Sequence, residues 1–167
     1  EMYGFPLTIY LLTSFFGNRL NIDFSHNSGH LLEDLLGLKG DPHFNWLHIL
    51  SDTLIFGGII LLGSAWKVLY QAAKKNILAK TGPYNYIRHP QYLGFILMII
   101  GFLLQWPTLI TLLMAPFLIV RYIRLAHQEE QRATKKFKEQ YKNYQKVTPG
   151  FFPSLARVYQ RFTVPQR

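Results

Sequence analysis

No cysteine occurs in the 167 residues, which excludes disulfides, a thiolate nucleophile and any cysteine-held metal. Charge is scarce as well: 16% of residues are charged against 49% hydrophobic, less charge than a water-soluble globule usually carries. Acidic residues are missing altogether from Thr53 to Gln128, so nothing in that stretch can neutralise Lys67, Lys74, Lys75, Lys80 or Arg88 locally. The chain has no GxGxxG dinucleotide fingerprint, no HExxH zinc motif, no internal repeat and no low-complexity tract. What is present is a basic balance, net +9, and long apolar runs. Together these point to a membrane, whose anionic headgroups account for the charge without a nucleic-acid partner.

The apolar runs set the organisation. Leu47 to Ala73, with an uncharged core from Thr53 to Trp66, is long enough to cross a hydrocarbon layer of roughly 30 Å. Tyr92 to Ala126 is too long for one straight crossing and is interrupted at Gln105-Trp106-Pro107, which predicts a helical hairpin with a turn there. Its first arm rises only about 22 Å at 1.5 Å per residue, so the turn stops short of the far surface or distorts the bilayer. An earlier span is read at Glu1 to Phe16, kinked at Pro6; lacking a signal peptide's basic start and cleavage site, it is read as part of an N-terminally trimmed membrane protein. Gln128 to Lys146 has Ala133, Phe137, Tyr141 and Tyr144 at helical spacing with basic residues around other faces, which predicts an amphipathic helix at the membrane surface. Thr148-Pro149-Gly150 ends it, and Phe151-Phe152-Pro153 is placed to fold back over the preceding motif.

The expected fold is therefore an all-α integral membrane bundle with a helix-turn-helix hairpin and a cytoplasmic C-terminal amphipathic helix. Three regions follow: a membrane segment and polar outer loop over 1–46, the core over 47–153, and a basic tail over 154–167. The Asn18 to Trp46 loop carries Asp23, Glu33, Asp34 and Asp41 against Arg19 and Lys39, while the second loop and the tail are basic. The positive-inside rule then places the second loop and C-terminus in the cytoplasm, read here as the inner side of a bacterial inner membrane.

The densest polar cluster lies in that second loop, TGPYNYIRHPQYLG, Thr81 to Gly94. Tyr84, Tyr86, Arg88, His89 and Tyr92 stand directly before an apolar helix, where an arginine or histidine must snorkel, pair or meet a ligand. Pro83 and Pro90 interrupt helix on either side, so an ordered turn is expected. Arg88 and Tyr86 are the candidate catalytic side chains; alternatively, Arg88 reaches headgroups and the tyrosines are interfacial residues common to any membrane protein. Glu129 and Glu130, after the hairpin, stand either as ordinary solvated acids pairing along their own helix, as with Arg132, or as partners of the loop.

Arg88-His89-Pro90-Gln91-Tyr92-Leu93-Gly94, the hairpin, the paired glutamates and the VTPGFFP ending resemble the isoprenylcysteine carboxyl methyltransferase family and its phospholipid methyltransferase relatives. The resemblance covers Leu47 to Pro153. It implies S-adenosylmethionine as methyl donor, with Tyr84, His89, Pro90, Tyr92, Gly94, Glu129 and Glu130 at the cofactor site. Pro90 and Gly94 would shape a close backbone approach. It also implies a lipophilic small-molecule, lipid or lipidated acceptor, with a carboxylate among the candidates, reached from the bilayer. Methyl transfer from a sulfonium is an in-line displacement, so positioning groups matter more than a protein nucleophile.

Two other functions fit parts of the sequence. A nicotinamide-dependent membrane reductase is possible by fold analogy only. A non-enzymatic metal-handling protein would use His26, His30, His43 and His48 of the outer loop, where His26 and His30 have i,i+4 spacing but Gly29 weakens a helix. Scattered histidines in a polar loop are more often surface residues, so no metal ligands are assigned.

Overall fold

The computed structural model describes residues 46–105 and 109–153, with Leu109 described in its backbone only. The span at Glu1 to Phe16, the outer-loop residues His26, His30 and His43, the Trp106-Pro107 turn and the basic tail lie outside the described residues. Every regular element among the described residues is helical: α1 (Trp46–Lys74), a 3₁₀ turn (Gly82–Asn85), α2 (Pro90–Gln105), α3 (Leu109–Phe137) and α4 (Glu139–Val147). Two of them, α1 and α3, contain stretches long and apolar enough to cross a membrane. Their large side chains point outward, with Ile60 72%, Leu113 69% and Phe117 65% exposed, which suits a lipid-facing surface and not the core helix of a soluble protein. α2 is apolar but shorter, about 24 Å at 1.5 Å per residue.

The chain divides into two compact units, residues 1–56 with 98–118 and residues 57–97 with 119–167. In the first, Gly101 lets α2 lie directly on α1: a Cβ there would stand 2.6 Å from Ile55 Cγ1 and 3.0 Å from the Ser51 carbonyl. Ser51, fully buried, donates its hydroxyl to the Gly101 carbonyl at 2.9 Å. Gln105 reaches His48 Nε2 at 3.1 Å and donates to Asp52 Oδ1 at 3.4 Å. Small-residue contact and interhelical hydrogen bonds are the means by which helices associate where lipid removes the hydrophobic drive. Pro116 is accommodated inside α3, as membrane helices permit.

The second unit carries the polar loop. α1 ends in a Schellman-type cap: Asn76 adopts φ 54°, Ile77 N–H donates to the Ala72 carbonyl and Asn76 N–H to that of Ala73. The loop then returns along α1 onto a small-residue seam, where Ala65, Ala72 and Ala79 are buried with Tyr84 and Val68 packs beside them. Burial of one ring of this size is worth about 2 kcal/mol. Gly82, at φ 58°, starts the 3₁₀ turn, with Pro83 in its first turn. Pro90 opens α2, the position where its missing N–H leaves no helical bond unmade.

The expected amphipathic helix over Gln128 to Lys146 is differently divided. α3 runs unbroken from the apolar segment to Phe137, because nothing between Leu125 and Glu130 disfavours helix. The break falls at Lys138, where φ is 46°. That turn lets α4 bury Tyr141 and Tyr144, and Tyr144 donates its hydroxyl to the Tyr84 carbonyl at 2.5 Å.

Candidate functional site

Three segments of the second unit converge: the loop into α2, the C-terminal part of α3, and the strap after α4. Backbone bonds fix the strap, since Arg88 N–H donates to the carbonyls of Pro149 and Gly150 at 2.9 and 3.1 Å, and His89 N–H donates to that of Gly150 at 3.1 Å. Phe151 then lies against the His89 ring, centroids 5.5 Å apart, so the aromatic ending does fold back over the motif. Phe152, 79% exposed, does not join it.

Successive residues on a helix diverge by about 100°, and Glu129 and Glu130 accordingly take different partners. Glu130 Oε1 accepts from Arg88 Nη2 at 3.1 Å and from His89 Nε2 at 2.9 Å, while its Oε2 takes a longer bond from Gln145 at 3.4 Å. Glu129 accepts the Tyr92 hydroxyl at 2.6 Å on Oε1 and the Gln91 amide at 3.1 Å on Oε2. Gln91 is oriented in turn by Tyr84, whose hydroxyl donates to its Oε1 at 2.6 Å. Arg88 is thus turned inward with its side chain 14% exposed, which is not the geometry of headgroup snorkelling. His89 likewise turns its ring inward, to Glu130.

The protonation of His89 follows from these contacts. Burial holds its pKa below the ordinary histidine value, outweighing the upward pull of Glu130, so the ring is neutral at pH 7. A carboxylate only accepts, so Nε2 carries the proton and Nδ1 is an acceptor. That Nδ1 is buried without a hydrogen-bond partner, and so are Nε and Nη1 of Arg88. Nδ1 stands 4.0 Å from Glu129 Oε2, too far for a direct bond. Burial also raises the hydroxyl pKa of Tyr84 and Tyr144 above the usual tyrosine range and pushes Tyr141 up to about 12. These tyrosines are donors at any physiological pH.

Two cavities flank the paired acids. One, about 260 Å³, is lined by Arg88, His89, Gln91 and Glu129, with Tyr84, Tyr141 and Tyr144 above an apolar wall that includes Leu69, Ala72, Ile77 and Phe137. The other, about 460 Å³, is lined by His127, Glu130, Gln131, Thr134, Lys135 and Gln145. The structure therefore brings together Tyr84, Arg88, His89, Tyr92, Glu129 and Glu130, with Pro90 fully buried beneath them. Tyr86, 37% exposed, does not line the first cavity. The close approach allowed by Gly94 is to α1, where a Cβ would stand 2.9 Å from the Gly58 carbonyl. α2 and α3 are joined beside the site by Phe95 stacked on Tyr122 at 5.1 Å and Tyr92 on the same ring at 5.8 Å. Such aromatic pairs are worth about 1 kcal/mol each.

Sequence reasoning missed Gln91, which sits at the variable position of the motif and has no chemistry to announce it. It also missed the inward role of Tyr144. Among the described residues no group of three or more His, Asp or Glu side chains gathers as a metal shell.

Comparison with known proteins adds to this geometry. The model of the isoprenylcysteine carboxyl methyltransferase (ICMT) family matches residues 45–135. The chain is similar to the cobalt-zinc-cadmium resistance protein CzcN of Cupriavidus metallidurans, 32% identical over 115 residues that make up 66% of this chain and 53% of that protein. It is also similar to the nickel-cobalt-cadmium resistance protein NccN of Alcaligenes xylosoxydans xylosoxydans, 32% identical over 98 residues, 57% of this chain and 45% of that protein. The chain spans about half the length of these curated relatives. No solved structure matches.

Proposed function

The chain belongs to the isoprenylcysteine carboxyl methyltransferase family, and on that premise we propose that it transfers the methyl group of S-adenosylmethionine to a lipophilic or membrane-associated acceptor at the cytoplasmic membrane face. The observation that carries this reading is the set of buried polar atoms without partners, Arg88 Nε, Arg88 Nη1 and His89 Nδ1, beside two carboxylates. A buried polar atom left unpaired carries a penalty of about 1–3 kcal/mol, so three in one place argue for a ligand that satisfies them.

The donor set fits a zwitterionic sulfonium ligand. Arg88 Nε and Nη1 each hold an N–H that can donate to a ligand's carboxylate or other acceptor, while Nη2 stays on Glu130. His89 Nδ1 and Glu129 Oε2, both acceptors 4.0 Å apart, can share one hydrogen-bond donor such as an ammonium or a hydroxyl. When bound, S-adenosylmethionine supplies an electrophilic methyl group on a positively charged sulfur. The protein's own part is to hold that group in line with the acceptor and to exclude water, through the Phe151 strap and the buried tyrosines. The apolar wall of the smaller cavity, Leu69, Ala72, Ile77 and Phe137, suits an aliphatic or aromatic acceptor. Arg88 is thereby given to the donor's carboxylate, Tyr86 stands outside the lining of that cavity, and Pro90 and Gly94 are proposed to shape the cofactor side through the turn and helix packing they set.

The finer architecture belongs to the same proposal. α2 and α3 form the arms of a hairpin that opens to the cytoplasm, as the Tyr92–Tyr122 and Phe95–Tyr122 contacts support, and α4 lies at that membrane surface. The basic residues beside the loop support that orientation in a bacterial inner membrane.

The relatives are named for metal resistance, and a second reading is a non-enzymatic part in metal handling. One experiment separates the two. Membranes with and without the protein are incubated with methyl-tritiated donor, and the same strains are grown on cobalt, zinc and cadmium. The methyltransferase reading expects protein-dependent label in the lipid extract that disappears in the Arg88→Ala/His89→Ala variant. Metal tolerance retained by that variant, with no label in either strain, supports the second reading and removes the first.

A further inference from the structure

The paired carboxylates are unequal, and the inequality assigns a role to a residue outside the family's motif letters. Glu130 is 14% exposed and its charge is met by the Arg88 guanidinium at 3.1 Å. Glu129 is 45% exposed and its hydrogen bonds come from neutral groups, the Tyr92 hydroxyl and the Gln91 amide. One carboxylate is thus balanced from within the protein, and the other is held in place with its negative charge still uncompensated by those bonds.

We infer that Glu129 is the carboxylate that faces the positive charge of the methyl donor, and that Gln91 is the positioning residue that aims it, itself held by the Tyr84 hydroxyl. This rests on the donor-binding reading above. The geometry is a one-way relay. Tyr84 donates to Gln91 Oε1 at 2.6 Å, which fixes the amide so that Nε2 points to Glu129 Oε2 at 3.1 Å. Because the Glu129 carboxylate only accepts, a reversed amide would turn Oε1 toward it and lose that bond, so the orientation with Nε2 on Glu129 is the one that keeps both. Tyr84 and Gln91 are 4% and 5% exposed, so water does not replace the bond between them. The Tyr144 hydroxyl on the Tyr84 carbonyl anchors the far end of the relay in α4. Released from Gln91, Glu129 keeps only Tyr92 as a hydrogen-bond partner and can swing about its side-chain torsions, away from His89 Nδ1.

The test measures equilibrium binding of tritiated S-adenosylmethionine to the detergent-solubilised full chain, with thermal unfolding to verify folding of each variant. Gln91→Met keeps the volume and removes the amide, and is expected to weaken binding about tenfold. Gln91→Ala should match it. Tyr84→Phe should weaken binding about threefold in the wild-type background and not at all in the Gln91→Met background, because its effect passes through the amide. A packing role alone would leave the two effects multiplicative. Unchanged affinity in both Gln91 variants, or a threefold loss that persists in the double variant, overturns the relay while the wild type still binds donor. A wild type that binds no donor overturns the methyl-transfer reading, and this inference with it.

Discussion

Two polar clusters in this chain, one in each compact unit, use hydrogen bonds to opposite ends. At Ser51 and Gln105, side chains bond to a neighbouring helix: a hydroxyl to the Gly101 carbonyl, an amide to His48 and Asp52. At Arg88 and His89, the protein sets two carboxylates and two cation-capable groups together and still leaves three buried atoms without partners. The first arrangement ties helices together. The second is incomplete by itself, and incompleteness in a buried place is the physical mark of a binding site.

That contrast can be broken by substitution, and the largest effect should come from Glu130. Glu130→Ala leaves the inward-turned Arg88 without its carboxylate and should lower stability by about 3 kcal/mol, as breaking a buried pair does. Donor binding should disappear with it. Removing the other partner's ring, His89→Ala, deletes one bond to Glu130 and the free Nδ1; a loss of about 1.4 kcal/mol of donor binding is expected, tenfold in a binding titration. In the tying cluster the outcome should invert. Gln105→Leu should lower thermal stability by about 1 kcal/mol and leave donor affinity unaltered. Gly101→Ala should also destabilise, by about 1–2 kcal/mol, because its new Cβ would press on Ile55 and the Ser51 carbonyl.

The smallest effect concerns pH. The His89 pKa is lowered in the folded protein by burial, so the unfolded chain takes up a proton below about pH 6.5 that the folded chain refuses. Stability should therefore fall as pH drops below that value, level off beneath the folded-state pKa, and show no His89 contribution above it. His89→Gln should remove that part of the slope in unfolding curves between pH 7 and pH 5. An unchanged slope in the variant would mean that other groups carry it.

Much of this was legible in the sequence because the informative residues are punctuated. Pro83 and Pro90 bracket the loop, the apolar run of α1 was predicted to within a residue or two, and the strap was marked by Thr148-Pro149-Gly150. The pairing of Arg88-His89 with Glu129-Glu130 was reached through family resemblance; spacing alone left those acids as ordinary surface residues. Gln91 was illegible for a different reason. An amide carries no charge and follows no pattern, and its importance arises from Tyr84 and Glu129 meeting it in space. The break at Lys138 was likewise hidden, since lysine favours helix and the chain turns there to bury tyrosines of α4. Tertiary partners overrode local propensity at both places.

The central claim is that donor sits between the Arg88-His89 bend and the twin glutamates. Its most direct test is equilibrium binding of tritiated S-adenosylmethionine to the purified wild type and Glu130→Ala proteins side by side. Saturable binding by the wild type, displaced by S-adenosylhomocysteine and absent from Glu130→Ala, is the predicted result. No saturable binding, or equal binding by the two proteins, would contradict it.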